Sequence, residues 1–64
     1  MSEQVKYTLS TLQRGQQVTV IYDGQLEHQR LRIAGKIMSV DHFWHTLQVN
    51  NVAIDFSEIY EIIQ

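Results

Sequence analysis

Most of the residues in this chain that could do chemistry crowd one short stretch, Asp41-His42-Phe43-Trp44-His45. Two imidazoles on a tight turn can converge on a metal ion, but zinc takes three or four firm ligands. Asp41 is the only further donor close by, and the remaining histidine, His28, lies well upstream. Exposed turn histidines are the plainer reading, so neither a metal nor a cofactor is expected. Ser39, Asp41 and His42 carry the groups of a nucleophile, a carboxylate and a base, yet such a constellation is recognised by geometry and not by closeness in sequence. A domain of this size also has little room for a pocket of about 300 Å³ or more, the lower range of small-molecule sites. The expectation is a protein that is not an enzyme, with no catalytic residue.

The two aromatics carry more information. Along an alternating segment at most one of two neighbours points inward, so either Phe43 or Trp44 is expected to cover an end of the core while the other stays at the surface. An exposed Trp is a frequent anchor at protein interfaces. Phe43 and Trp44, with His42 and His45 on either side, form the expected partner-binding set. A second candidate set is basic: His28, Arg30, Arg32 and Lys36 fall on one side of a strand pattern and could meet nucleic-acid phosphates while an aromatic stacks on bases. A formal net charge of −2 opposes binding by bulk attraction, and such charges on a strand also serve to block aggregation.

These residues need elements to hold them, and the elements read as strands. Gln17 to Asp23 alternates Val18, Val20 and Tyr22 and stops at Asp23-Gly24, a strong turn signal. Gln25 to Ile33 sets Gln29, Leu31 and Ile33 against His28, Arg30 and Arg32. Ala34-Gly35 interrupts this run without ending it, as expected of a bend or bulge, and Lys36 to Val40 resumes. Thr46 to Val49 alternates again, Asn50-Asn51 is a turn pair tolerant of positive φ, Val52 to Ile54 is a short strand, and Tyr60 to Ile63 is the last. Between them Asp55 to Ile59 is too short for a regular helix. At the start, Met1 to Tyr7 is expected to be frayed and Thr8 to Gly15 to make a single helical turn acting as a lid, with Leu9 and Leu12 on one face and Gly15 ending it in a left-handed conformation.

Together these features predict an all-β domain: a small, strongly bent, five-stranded barrel of the Sm or Src-homology type, preceded by a short helical turn. Its interior is expected to hold Val18, Val20, Leu31, Ile33, Ile37, Leu47, Val49, Ile54, Phe56, Ile59 and Ile62. The 64 residues fit one domain near the minimum size that folds unaided, and the absence of cysteine removes disulfides and thiolate chemistry. With 44% hydrophobic and 19% charged residues the composition is that of a globular protein. No apolar run approaches the roughly 18 residues of a membrane span, and the opening residues lack the pattern of a signal peptide, so a cytoplasmic protein is expected.

The order of short motifs points further. Ile21-Tyr22-Asp23-Gly24 is followed by Ile33-Ala34-Gly35-Lys36-Ile37, with Val40-Asp41 close behind, then by Leu47-Gln48-Val49-Asn50 and by Ile54-Asp55-Phe56-Ser57-Glu58-Ile59-Tyr60-Glu61-Ile62. Over Val18 to Ile62 this resembles the YolD-like family of small bacterial and phage proteins. Its members share a Tyr-containing strand, a G-x-I element followed by a hydrophobic residue and Asp, and an ending of the form I-x-F-x-x-I-x-x-I. The resemblance implies a non-enzymatic accessory of a translesion DNA polymerase in the DNA-damage response. The His-Phe-Trp-His turn is not part of that family pattern. The leading expectation is therefore a protein-interaction module, with a small single-stranded nucleic-acid-binding barrel as the alternative. A homodimer is also expected, because the first strand, the last strand or the short Val52 to Ile54 strand could leave an edge for a second copy to pair with.

Overall fold

The 12-residue strand β2 (Arg30–Asp41) is the element on which the other strands are assembled, and it is long enough to belong to two ladders. A computed structural model describes residues 1–64. The first half of β2 pairs antiparallel with β1 (Gln17–Asp23), from Asp23 opposite Arg30 to Gln17 opposite Lys36. Its second half pairs with β3 (Thr46–Val49), from Ile37 opposite Val49 to Asp41 opposite Thr46, with a register shift between Ile37 and Ser39. The hand-over falls between Lys36 and Ile37; the β1 ladder runs through Ala34 and Gly35 without a shift, so the irregularity expected there is displaced to Ile37–Ser39, where β2 pairs with β3. Asn50, at φ 52° in the turn that follows β3, makes a clamp at this hand-over: its N–H donates to the Lys36 carbonyl at 3.0 Å, and its Oδ1 accepts the Lys36 N–H at 3.2 Å. Its carboxamide lies against Gly35, so a Cβ at that point would have to push this exposed side chain aside.

Strand β4 (Val52–Asp55) returns along β3, the single 3₁₀ turn Phe56–Glu58 follows, and β5 (Ile59–Ile63) crosses back to pair with β1. The result is one antiparallel five-stranded sheet in the order β4-β3-β2-β1-β5. No ladder joins β4 to β5, so the sheet is open between its two edges. Strand β1, considered a candidate edge from sequence, lies inside the sheet between β2 and β5.

The amino-terminal expectation needs correction. Residues 3–11 form a helix, α1 (Glu3–Thr11), and not a frayed tail leading to one turn. The Ser2 hydroxyl accepts the Val5 N–H at 3.1 Å and caps the helix, an interaction worth about 1 kcal/mol. Val5, Leu9 and Leu12 then recur at helical spacing and are all buried. Val5 alone among polar neighbours gave no periodic signal; it acquires one only with Leu9 and Leu12, one and two turns on. The helix ends at Leu12 in an extended conformation and not at Gly15 as expected; Gly15, three residues on, does take the left-handed φ of 91°, and its N–H donates to the Ile37 carbonyl at 2.7 Å.

The core consists of Val18, Val20, Ile37, Leu47, Val49, Ile54, Phe56 and Ile59 from the sheet and the 3₁₀ turn, closed at one side by the three apolar residues of the α1 segment. Leu31, Ile33 and Ile62, expected in the interior, are only half buried because the sheet twists away from the centre where they stand. No buried polar side-chain atom lacks a hydrogen-bond partner. No helix is long and apolar enough to cross a membrane.

Candidate functional site

The turn from β2 to β3 carries the exposed aromatics, and Asp41 builds it. Its Oδ1 accepts both the Phe43 N–H and the Trp44 N–H at 2.9 Å, a local side-chain arrangement that folds the backbone back on itself. His45 takes φ 54° at the end of the turn and returns the chain to β3. Because residues 42–45 turn instead of extending, strand alternation does not govern Phe43 and Trp44. The expectation that one of them covers the core is therefore corrected: Phe43 is 80% exposed and Trp44 73%. Their rings meet edge to face, with centroids 4.9 Å apart and planes at 83°, so the two form one continuous aromatic ridge.

The cover over this end of the core is Phe56 instead. It is buried, and its ring is flanked by the two histidines of the turn: His45 stacks on it at 5.6 Å and 19°, and His42 meets it at 5.8 Å and 70°. His42 and His45 thus act as packing partners of Phe56, and with it they line one small exposed pocket of about 220 Å³ beside Lys6 and Ser10. No group of three potential ligands gathers anywhere in the chain. Asp41 spends an oxygen on two backbone amides, which anchors it to the turn backbone. A shallow groove of about 380 Å³ runs beside the ridge, between Trp44 and Ser57 and over His45 and Phe56. Sequence reasoning treated Phe56 only as core; its place as the floor beneath the turn depends on the hydrogen bond from the Phe56 N–H to the His45 carbonyl at 2.8 Å, a contact between segments eleven residues apart.

Three of the four basic candidates share one face of β2, where Arg30 is paired with an acid, and His28 stands apart. Gly24 N–H bonds to the Gln29 carbonyl and Gln29 N–H to the Leu26 carbonyl, at 2.9 and 3.0 Å, so residues 25–29 close a loop and β2 begins at Arg30. His28 therefore sits in that loop at φ 62°, beside Glu27, and not on the strand with the arginines. Arg30 pairs with Asp23 at 3.0 Å and lies over the Tyr60 ring at 3.9 Å. Arg32 and Lys36 share its face of β2 and are exposed, opposite Ile21 and Gln17 of β1. Glu61 of β5 lies across from Ile21, which sets a carboxylate on the same outer face. Tyr60 as a platform for Arg30 had no sequence signal, because the register shift at Ile21/Tyr22 that admits it arises from strand pairing.

No protein-family model, curated protein or solved structure matches the chain.

Proposed function

We propose that this chain is a non-enzymatic protein-interaction module that docks its partner on the Phe43–Trp44 ridge, with His42 and His45 fixing the base of the turn. The observation that carries this reading is the pair of large aromatics held side by side in solvent by a turn whose backbone is pinned to Asp41. Ordering such a turn beforehand lowers the entropic cost of docking, and burying aromatics is the main energetic term at interface centres. The open, bent sheet is in this proposal a small barrel of the Sm or Src-homology type. The resemblance to YolD-like proteins supports a translesion DNA polymerase as the partner. Single-stranded nucleic-acid binding through His28, Arg30, Arg32 and Lys36 has less support, since Arg30 is engaged by Asp23 and His28 stands apart in its loop.

The test is binding of the purified chain and its Trp44→Ala variant to a purified translesion polymerase, by calorimetry, with circular dichroism on both. Loss of an anchor at the centre of an interface costs about 2 kcal/mol or more, or roughly 30-fold in Kd. Trp44 contributes little to the core, so the variant should retain the spectrum and Tm of the parent. Equal affinity for the two proteins would refute the docking surface. Unfolding of the variant would return Trp44 to a structural role.

A further inference from the structure

The two edges of the sheet differ. Strand β5 has α1 alongside it, with Ser2, Val5 and Thr8 facing Tyr60 and Ile62 across a narrow cleft. Strand β4 has no helix beside it. The direction of its backbone groups follows from the hairpin: the Phe56 N–H bonds to the His45 carbonyl, so the hydrogen-bonded rungs are 45/56, 47/54 and 49/52, in the alternation of an antiparallel pair. Ala53, opposite Gln48, is therefore between rungs, and its N–H and C=O point away from β3. The same holds for Asp55, whose N–H turns to the Glu58 carboxylate at 3.4 Å and leaves its carbonyl free.

Beside this edge lies a groove of about 430 Å³ between β4 and the loop that follows β1. Half-buried Tyr22 and Leu31 line it, and the loop brings Leu26, 70% exposed, to its outer side. The loop is held in shape by its two internal backbone bonds and by the Gln29 side chain, which accepts the Leu26 N–H at 3.4 Å. The charged residues lining the groove, Asp23 and Glu58, are both acidic, and the nearest cation, Arg30, is already paired to Asp23. Of the features natural edges use to repel another strand, β4 has its shortness, four residues, and the charge of Asp55, but it has no Lys, no Pro and no bulge in its ladder.

We propose that β4 is a strand-addition site for an extended segment of a partner protein in which apolar and basic residues alternate. The partner's backbone pairs with Ala53 and the Asp55 carbonyl, its apolar side chains rest on Tyr22, Leu26 and Leu31, and a cation faces Glu58, Asp23 being already paired to Arg30. This is recognition by sheet extension, in which main-chain bonds supply affinity and alternate side-chain pockets supply selectivity. The site lies apart from the Phe43–Trp44 ridge, so its fate is independent of that reading.

The probe is a short capped peptide alternating lysine and valine, titrated into the isotope-labelled chain with amide shifts followed by NMR. Shifts at Ala53, Asp55, Leu26 and Leu31 are expected, with a Kd on the order of 1 mM, whereas the glutamate–valine counterpart should bind about ten-fold more weakly. Ala53→Pro removes the outward N–H without touching a rung of the β3 ladder, a place where an edge strand tolerates proline, and should abolish the shifts; Ala53→Val keeps the N–H and should preserve them. If Ala53→Pro fails to fold, a peptide N-methylated on its pairing face serves the same purpose on the unaltered protein and should not bind. Undiminished binding of that peptide, or of the folded Ala53→Pro variant, would overturn strand addition in favour of diffuse attraction to the acidic surface. Equal binding of the acidic peptide would overturn the assigned partner chemistry. Shifts of Ala53 with protein concentration alone would assign the edge to a second copy instead.

Discussion

Replacing Gly35 with alanine separates a reading of this fold based on local preference from one based on packing. By local preference the change should help: Gly35 does not adopt positive φ, and alanine in a compatible conformation stabilises by about 0.4–1 kcal/mol through the unfolded chain. The packing says otherwise. Gly35 is buried, and a Cβ there would collide with the Asn50 carboxamide. Overpacking costs about 1–3 kcal/mol in a rigid core; here the colliding atoms are the end of an exposed side chain that can swing aside, which puts the cost at about 1 kcal/mol. Pushing the carboxamide away also strains the Oδ1 bond to the Lys36 N–H, worth about 1 kcal/mol. Setting the favourable term against these leaves a net loss of about 1 kcal/mol, and at roughly 4–8 °C per kcal/mol for a domain of this size, Tm should fall by about 4–8 °C. Asn50→Gly removes the obstructing side chain and tolerates φ 52°, so Gly35→Ala should cost nothing measurable in that background, giving a coupling energy of about 1 kcal/mol. The assay is thermal and urea unfolding of all four proteins by far-ultraviolet circular dichroism; fluorescence is unsuitable because the single Trp is exposed in the folded state. A Gly35→Ala protein as stable as the parent, or additive effects in the double variant, would refute the clamp.

Asp41→Ala should free the Phe43 and Trp44 amides, speeding their hydrogen exchange and lowering stability by about 1 kcal/mol, whereas Asp41→Asn keeps an acceptor and should behave much like the parent. Leu9→Ala tests whether α1 is part of the cooperative core: Leu9 is 2% exposed, so a loss of about 2–5 kcal/mol is expected in urea unfolding, and a loss below about 0.5 kcal/mol would show that the helix frays independently.

The strands were legible because burial on a pleated surface imposes a period of two, and Val18, Val20, Leu47, Val49 and Ile54 keep it. The interruption of β2 was legible only in part: the register shift lies between Ile37 and Ser39 and not at the Ala34-Gly35 pair that marked it in the sequence, because pairing with β3 sets it. Three matters were decided only by the tertiary structure. The helix at Glu3–Thr11 exists because Val5 and Leu9 find the open side of the sheet, and a stripe this short is ambiguous until there is something to cover. The exposure of both Phe43 and Trp44 follows from Asp41 bonding two amides within the turn, a conformational choice that residue types permit but do not dictate, and the vacancy at the end of the core is taken by Phe56. The character of each edge depends on strand order: sequence can enumerate five strands, but which of them end the sheet, and that α1 lies beside one and not the other, is set by long-range pairing between residues as far apart as Thr19 and Ile63, a relation that no local pattern encodes.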